Sequence, residues 1–265
     1  ENGPENVAKI IKEINPDIIL MIETYGSGPF IADYLNCNFH LVASKNTSLN
    51  DPSVNLSVFS KYSFGKRIDT EYPFYLGGIE IPINGKIIRF FSNWFHYLPW
   101  NNEPEKMGKS VEELLEWEKT ESRHEMIQKV LPYLKKFANE TDSIPMIFGG
   151  DMNTLSHLDW TNKTKKFHNN LVVPWNATEI LADLGLIDSY RKENPNPITH
   201  PGITWDKKGR KDSHRIDYIF YKGKSIKSIK SNSYNAYFNE SIIINDKQIP
   251  YPSDHGIVVT TFEFR

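Results

Sequence analysis

Short apolar runs, each ended by a turn signal, are the feature that most constrains the fold of this 265-residue chain. The clearest run covers residues 17–22, between Pro16 and the Gly26-Ser-Gly28 turn, and it is too short for a helix. A run of this kind predicts a fully buried strand. Asn84-Gly85 favours a type I′ turn between two further runs. Strands are also predicted over residues 39–43, 54–60, 78–83, 86–91, 144–148, 215–221, 242–244 and 257–264.

Helical periodicity appears in three places between these runs. Residues 4–14 carry apolar side chains at helical spacing, and Asn15-Pro16 ends that helix. Residues 110–138 are predicted to be helical, with Pro132 expected to kink or divide the helix, and a short helix is predicted near residues 177–184. Many short strands with a few helices between them predict a layered α/β or α+β sandwich.

Composition adds limits on the class of protein. The 31 Lys and Arg residues nearly balance 33 Asp and Glu residues, which argues against a strongly basic nucleic-acid wrapper but not against a nuclease. Cys37 is the single cysteine, so an internal disulfide is excluded. No run approaches the roughly 18–20 apolar residues of a membrane span. A chain that begins at Glu1 without a leader is expected to be either a mature secreted product or a shortened polypeptide.

Acidic and histidine side chains recur where the predicted strands end. Singly, each is more often a solvated turn residue or a helix cap. Together, their carboxylate and amide oxygens suit a hard divalent ion such as Mg²⁺ shared with a substrate phosphate. The sequence has no zinc motif, no glycine-rich phosphate loop ending in Lys-Ser/Thr and no Gly-x-Ser-x-Gly turn. The residues concerned are Glu23, His96, Asp151, Asn153, Asp217, Asp254 and His255.

In these positions the sequence resembles the endonuclease/exonuclease/phosphatase superfamily, the family of pancreatic deoxyribonuclease. The matching segments keep the family's order along nearly the whole chain. That resemblance implies an α+β fold, a four-layer α/β/β/α sandwich of two mixed sheets flanked by helices. The segments are Pro16-Asp-Ile-Ile-Leu-Met-Ile-Glu23, Asn55-Leu-Ser-Val-Phe-Ser60, the strand ending in His96, Gly150-Asp-Met-Asn153, Arg215-Ile-Asp-Tyr-Ile219 and Ser253-Asp-His255.

The resemblance also implies roles for the metal and the attacking water. Glu23, with Asp254, would coordinate Mg²⁺, for which Mn²⁺ is an alternative. Asp151 would orient and activate the water, and Asn153 would hydrogen-bond that water or a phosphoryl oxygen. The implied reaction is metal-dependent hydrolysis of a phosphate ester by in-line attack, with a phosphodiester favoured over a monoester.

Further implied roles concern the phosphate. His255 would contact the scissile phosphate as an acid or base, with Asp217 holding the imidazole in orientation. His96 would bind the phosphate or assist the leaving oxygen. The resemblance leaves open whether Asp151 or His255 is the general base.

One departure from the family concerns its first strand, which ends in an Asn that contributes to metal binding. No counterpart precedes the first predicted helix, so residues 1–265 are expected to be one domain that lacks this strand. The segment from Ser156 to Thr161 resembles a branch of secreted or periplasmic bacterial members. A secreted or periplasmic monomer is therefore expected, with a cytoplasmic location as the alternative.

Aromatic residues in predicted loops suggest where a substrate binds. Trp100, Trp160 and Trp175 are expected either to pack in the interior or to form a rim that stacks on a base or another headgroup. Arg215 is a further candidate for substrate contact. The substrate is expected to be a phosphate ester, with nucleic acid as one option. The alternatives are a phosphatase, a sphingomyelinase-type phospholipase and a non-catalytic module that binds a phosphorylated ligand.

Overall fold

The computed structural model describes residues 3–98, 103–120, 122–205, 214–234 and 241–265. Across these ranges, no helix combines the length and the apolar character that crossing a bilayer requires. The elements in chain order are α1 (Gly3–Ile14), β1 (Ile18–Met21), α2 (Gly28–Leu35), β2 (Asn38–Val42), β3 (Leu56–Ser60), β4 (Arg67–Ile68), β5 (Leu76–Ile83), β6 (Lys86–Trp94), α3 (Val111–Lys119), α4 (Ser122–Asn139), β7 (Met146–Asp151), α5 (Asn176–Asp183), β8 (Ile187–Asp188), α6 (Ser189–Glu193), β9 (Asp217–Lys222), β10 (Ile226–Tyr234), β11 (Ser241–Ile244), β12 (Lys247–Pro250) and β13 (Ile257–Phe264).

Two layers of β-sheet form the centre of the molecule. The larger sheet has six strands in the order β4-β5-β6-β7-β9-β8, and only its β6–β7 pair is parallel. A three-stranded antiparallel sheet has the order β1-β3-β2, and β10 pairs antiparallel with β13. The β11–β12 hairpin is separate. The described part of the chain thus has one mixed sheet, whereas its smaller sheets are antiparallel.

Helices cover the outer faces of both sheet layers. Helices α1 and α2 pack on the three-stranded sheet, and helices α4 and α5 pack on the six-stranded sheet. Neighbouring residues of a central strand face opposite ways, so Phe90 enters the core between the sheets and Phe91 enters the core beneath α4. This arrangement confirms the α+β sandwich with α/β/β/α layering.

Locally encoded elements agree with the sequence analysis. The β5–β6 hairpin turns at Asn84 and Gly85, whose φ values of 50° and 77° are those of a type I′ turn. Pro132 was expected to kink or divide the long helix. Division at this residue is wrong, because α4 continues through it, and a kink stays a prediction. The chain breaks earlier, after α3, where Thr120 forms the C-cap.

An open groove lies between β1 and β13. Each strand pairs on one side within the described residues, β1 with β3 and β13 with β10. The groove has a volume of about 830 Å³, and the side chains of Ile147 and Ile219 contribute to its lining. Strand β1 is therefore half-buried along its length, which corrects the expectation of a fully buried strand. A missing family strand beside β1 stays a prediction.

Candidate active site

The ends of three neighbouring strands bring the central acidic residues together. Asp151 ends β7, and the strand register places it opposite Asp217 of β9 on one side and Trp94 of β6 on the other. The Asp151 side chain is buried. Burial, reinforced by the nearby Asp217 carboxylate, raises the pKa of Asp151 well above its usual value. Two carboxyl groups therefore face each other, and the buried one holds its proton to a higher pH than a free aspartate.

A tight turn after β7 folds Asn153 back onto Asp151. The Asn153 backbone N–H donates to Asp151 Oδ1 at 2.8 Å, and Asn153 Nδ2 donates to Oδ2 at 2.6 Å. Asn153 Nδ2 also donates to the carbonyl of Phe95 at 2.8 Å. Asn153 has a φ of 46°, a left-handed conformation that asparagine tolerates better than most residues. These bonds fix both oxygens of the Asp151 carboxylate.

Gly150 allows β6 and β7 to approach closely next to this turn. A Cβ atom at this position would lie 1.9 Å from the carbonyl oxygen of Asn93. The close approach therefore requires glycine, because no rotamer of a larger residue removes its Cβ.

His255 and Asp217 form a hydrogen-bonded pair beside Asp151. His255 Nδ1 lies 3.0 Å from Asp217 Oδ2. Burial alone would lower the pKa of His255, but the Asp217 carboxylate, together with the charges of Asp151 and Asp254, outweighs it and raises the value to about 10. Thr204 Oγ1 accepts from the Asp217 backbone N–H at 3.0 Å, and the Tyr251 hydroxyl donates to the His255 carbonyl at 2.9 Å. Both members of the pair are thus held from behind.

Glu23 follows β1 in a left-handed conformation, with a φ of 53°. Its backbone N–H donates to Asn55 Oδ1 at 3.0 Å, and its carboxylate accepts from the Tyr25 hydroxyl at 3.2 Å. Burial and the Glu23 carboxylate raise the pKa of Tyr25 to about 12. The Glu23 side chain remains exposed, although its charge also contributes to the raised pKa of Asp151.

The structure brings together three of the residues selected from the sequence. Ligand atoms of Asp151, Asp217 and His255 all lie within 4.8 Å of one another. Glu23 and Asp254, the expected metal ligands, lie outside this close group, and the exposed Asp254 carboxylate accepts from Trp205 Nε1 at 3.4 Å. A hard divalent ion suits this donor set, since a cation would offset the repulsion between the buried carboxylates.

His96 lies just beyond β6, beside the Asp151–Asn153 turn. Its ring Nδ1 accepts from the Leu98 backbone N–H at 3.2 Å, and its own N–H donates to Met126 Sδ at 2.9 Å. The preceding residue, Phe95, bonds through its N–H to the Asp151 carbonyl at 3.0 Å. The segment that carries His96 is therefore tethered directly to the acidic turn.

The expected tryptophan rim does not form from the described residues. Trp160 and Trp175 are only 3% and 2% exposed and pack edge to face, with ring centroids 5.2 Å apart. They belong to a satellite core with Leu114 and Val173, so the packing alternative is the correct one. Trp100 lies outside the described residues.

Arg215 is also buried, which corrects the expectation that it contacts substrate. Its guanidinium pairs with Asp159 at 2.8 Å and with Asp188 at 2.6 Å. Its side chain is 2% exposed, and the Tyr218 hydroxyl donates to its carbonyl at 2.6 Å. Arg215 therefore anchors the start of β9, two residues before Asp217.

Several residues that position the site were missed by sequence reasoning, chiefly Asn55, Tyr25 and Thr204. Asn55 lies in a motif that the sequence analysis quoted, but its contact with the Glu23 backbone depends on the β1–β3 pairing. No sequence pattern around Thr204 indicates its role. Its hydroxyl accepts hydrogen bonds from the backbone N–H groups of Ile216 and Asp217, which lie 12 and 13 residues later in the sequence.

A layered α+β sandwich with an acidic, histidine-containing site at its strand ends defines the class of this protein. The chain belongs to the Endonuclease/Exonuclease/phosphatase family, whose model matches residues 1–255. It is 28% identical, over 292 residues, to the Caenorhabditis elegans protein F14F9.5, covering 100% of this chain and 87% of that protein. Membership of a secreted or periplasmic branch stays a prediction.

Solved structures show the same fold. The endonuclease/exonuclease/phosphatase family protein of Leptotrichia buccalis has a TM-score of 0.58 at 20% identity, covering 100% of this chain and 95% of its own. An AP endonuclease of Archaeoglobus fulgidus has a TM-score of 0.58 at 18% identity, with coverages of 98% and 96%. Humanized D. rerio TDP2 has a TM-score of 0.60 at 14% identity, with coverages of 98% and 90%. At these identities the similarity concerns the fold.

Proposed function

We propose that this protein is a divalent-metal-dependent phosphodiesterase that hydrolyses its substrate by in-line attack of water. The observation that carries the proposal is the convergence of Asp151, Asp217 and His255 within 4.8 Å of one another at adjoining strand ends. Membership of the Endonuclease/Exonuclease/phosphatase family supports the same reaction class.

Glu23 and Asp254 would hold the metal beside the Asp151–Asp217 carboxylate pair. Oxygen ligands of this kind favour Mg²⁺, and Mn²⁺ suits them as well. When bound, the ion would neutralise charge that develops on the phosphoryl oxygens.

Protein side chains would orient the water and the phosphate. Both Asp151 oxygens are fixed by Asn153, so this carboxylate would orient the attacking water and accept its proton. Asp217 engages His255 Nδ1, and this contact would direct Nε2 to a phosphoryl oxygen. His96 would contact the phosphate from the β6 side. Fixed donors and acceptors of this kind lower the barrier because they need little reorganisation during reaction.

The test is hydrolysis of bis(p-nitrophenyl) phosphate with Mg²⁺ or Mn²⁺ by the wild type, Asp151→Asn and His255→Gln. We expect each variant to lose about 10²-fold or more in kcat/KM, the contribution typical of positioned acid–base groups. The matched control is Asp142→Asn, which neutralises a carboxylate whose side chain is 73% exposed. Thermal unfolding of each variant shows whether the fold is retained. Full activity in EDTA, or in either site variant, would overturn the proposal.

A substrate panel separates the related activities. It contains plasmid DNA, a single-stranded oligonucleotide, sphingomyelin vesicles and inositol phosphates, each assayed with and without the metal. Cleavage of the nucleic acids would support a nuclease, and phosphate release from monoesters alone would indicate a phosphatase. Binding of phosphorylated ligands without turnover of any substrate would instead establish a non-catalytic binding module.

A further inference from the structure

Two exposed aromatic rings, Phe74 and Tyr97, lie beside the candidate site, and neither the fold nor the proposed reaction accounts for their exposure. We call Phe74, Trp94, His96 and Tyr97 the aromatic ledge. Its rings contact one another in sequence: Phe74 to Trp94 at 5.5 Å, Trp94 to His96 at 5.6 Å and His96 to Tyr97 at 4.8 Å between centroids. The last pair is stacked, with an interplanar angle of 24°.

The two outer rings of the ledge are open to solvent, although the inner one is packed. Phe74 is 42% exposed and Tyr97 is 46% exposed, whereas Trp94 is 8% exposed and belongs to the core between the sheets. Trp94 therefore supports Phe74 directly, whereas Tyr97 stacks on His96, which Trp94 contacts in turn. Exposed rings backed in this way lose little conformational freedom when a flat ligand stacks on them.

Hydrogen bonds tie both ends of the ledge to the proposed catalytic residues. On one side, Asn55 accepts from the Glu23 N–H at 3.0 Å and donates to the Phe74 carbonyl at 3.2 Å. On the other, Phe95 bonds to Asp151 and to Asn153 immediately before His96 and Tyr97. Through these backbone bonds the ledge adjoins the segments that carry Glu23, Asp151 and Asn153.

We propose that the aromatic ledge binds a nucleobase of the substrate, through stacking on one of its exposed rings, Phe74 or Tyr97. This inference rests on the proposed function for the position of the phosphate. A planar base matches flat ring faces, and stacking on aromatic side chains is tolerant of base identity. The aromatic character of both exposed rings favours a planar group over an acyl chain.

The experiment measures binding by calorimetry, with Mg²⁺ present, of deoxyadenosine 5′-monophosphate and of deoxyribose 5-phosphate. The second probe carries a hydroxyl group where the first carries its base. We expect the nucleotide to bind about 10-fold tighter, and we expect Tyr97→Ala or Phe74→Ala, whichever removes the ring that holds the base, to reduce that ratio about 5-fold or more. Tyr97→Phe keeps the ring and should keep the ratio.

Phe167→Ala is the matched control, because it removes a ring of similar exposure, 56%, that contacts Lys166 on a different segment. Equal affinity for the two probes in the wild type would overturn the inference, as would an unchanged ratio in both alanine variants. Tighter binding of an acylglycerol phosphate than of the nucleotide would overturn it too. Because binding needs no turnover, a nucleotide preference without hydrolysis would refute the proposed function and leave the ledge in place.

Discussion

Replacement of Arg215 by methionine tests whether this residue supports the site or contacts substrate. Methionine is unbranched and fills much of the space of the arginine stem, so the main loss is the positive charge. That loss leaves the Asp188 carboxylate, whose side chain is 1% exposed, without its 2.6 Å partner. Asp159 keeps Arg191 at 2.7 Å. Removal of one member of a buried ion pair costs about 3–5 kcal/mol of stability. Because Asp159 keeps its pair with Arg191, we expect Arg215→Met to cost about 3–4 kcal/mol, in the lower part of that range.

The assay is urea unfolding followed by tryptophan fluorescence, compared at constant m-value. Asp188→Asn supplies the second arm, because its amide oxygen still accepts from the Arg191 N–H, as Asp188 Oδ1 does at 3.1 Å. The double variant no longer buries an unpaired charge at residue 188. We therefore expect it to be about 1–2 kcal/mol more stable than Arg215→Met alone, a coupling that distant residues would not show.

The exposed pair Lys224–Asp142 is the control, with its side chains 80% and 73% exposed. Lys224→Met should cost under about 0.5 kcal/mol. Two results would refute the reasoning: a cost for Arg215→Met as small as for Lys224→Met, or a double variant less stable than Arg215→Met. If KM for the phosphodiester rises while stability is unchanged, Arg215 contacts substrate after all.

Three further predictions address stability, at His40, Gly150 and Glu118. Burial lowers the pKa of His40 to about 4, so the folded protein holds this imidazole neutral. The contribution of neutral His40 to the free energy of unfolding is therefore full above pH 6.5 and is lost as the pH falls through 4. The free energy of unfolding, measured in urea, should fall by roughly 3 kcal/mol over that pH interval in the wild type and by much less in His40→Gln. Gly150→Ala should cost about 3 kcal/mol or more and abolish activity, because its Cβ would meet the Asn93 carbonyl; an unchanged melting temperature would contradict this. Glu118→Gln should lower stability by about 1–2 kcal/mol, because the buried carboxylate accepts from the Asn176 N–H at 2.7 Å where α5 begins. Thermal unfolding measures this loss, and an unchanged stability would show that the negative charge is not needed at the start of α5.

Elements whose signal is local could be predicted closely. The alternating apolar residues of β13 give the strand Ile257–Phe264 as expected, and the Asn84-Gly85 turn fixes the β5–β6 register. Strand β10 was missed because Ile226–Tyr234 is rich in lysine and serine. Its strand conformation depends on pairing with β13, a partner far along the sequence.

Whether the loop tryptophans are buried or exposed also depends on partners far along the sequence, so it could not be predicted. Trp160 and Trp175 lie in segments without regular periodicity, and nothing local distinguishes a rim from a core. Both tryptophans are buried in the structure in a cluster that includes Leu114 of helix α3. By contrast, the exposed ring of Phe74 has no sequence motif around it and was overlooked.

The acidic side chains themselves were identified from the sequence, but their exact distances depend on strand register. Asp151 and Asp217 are opposite each other because β7 and β9 pair antiparallel from Met146–Lys222 to Asp151–Asp217. A slip of one residue would turn one carboxylate to the other face of the sheet. The turn geometry that places Asn153 over Asp151 is likewise a property of the folded backbone.

The charge of the site favours catalysis over simple binding of a phosphorylated ligand. A module that only binds phosphate would gain affinity from cations and backbone N–H groups, yet Asp151, Asp217 and Glu23 outnumber the single imidazolium of His255 among these residues. Because that imidazolium is paired with Asp217, the ionised carboxylates of Asp151 and Glu23 would still repel a phosphate dianion unless a divalent cation lay between them. The fold enforces this repulsion through the β7–β9 register, at a cost in stability that simple binding would not require. Residues that destabilise the ligand-free protein in this way are expected where they act on a reacting group.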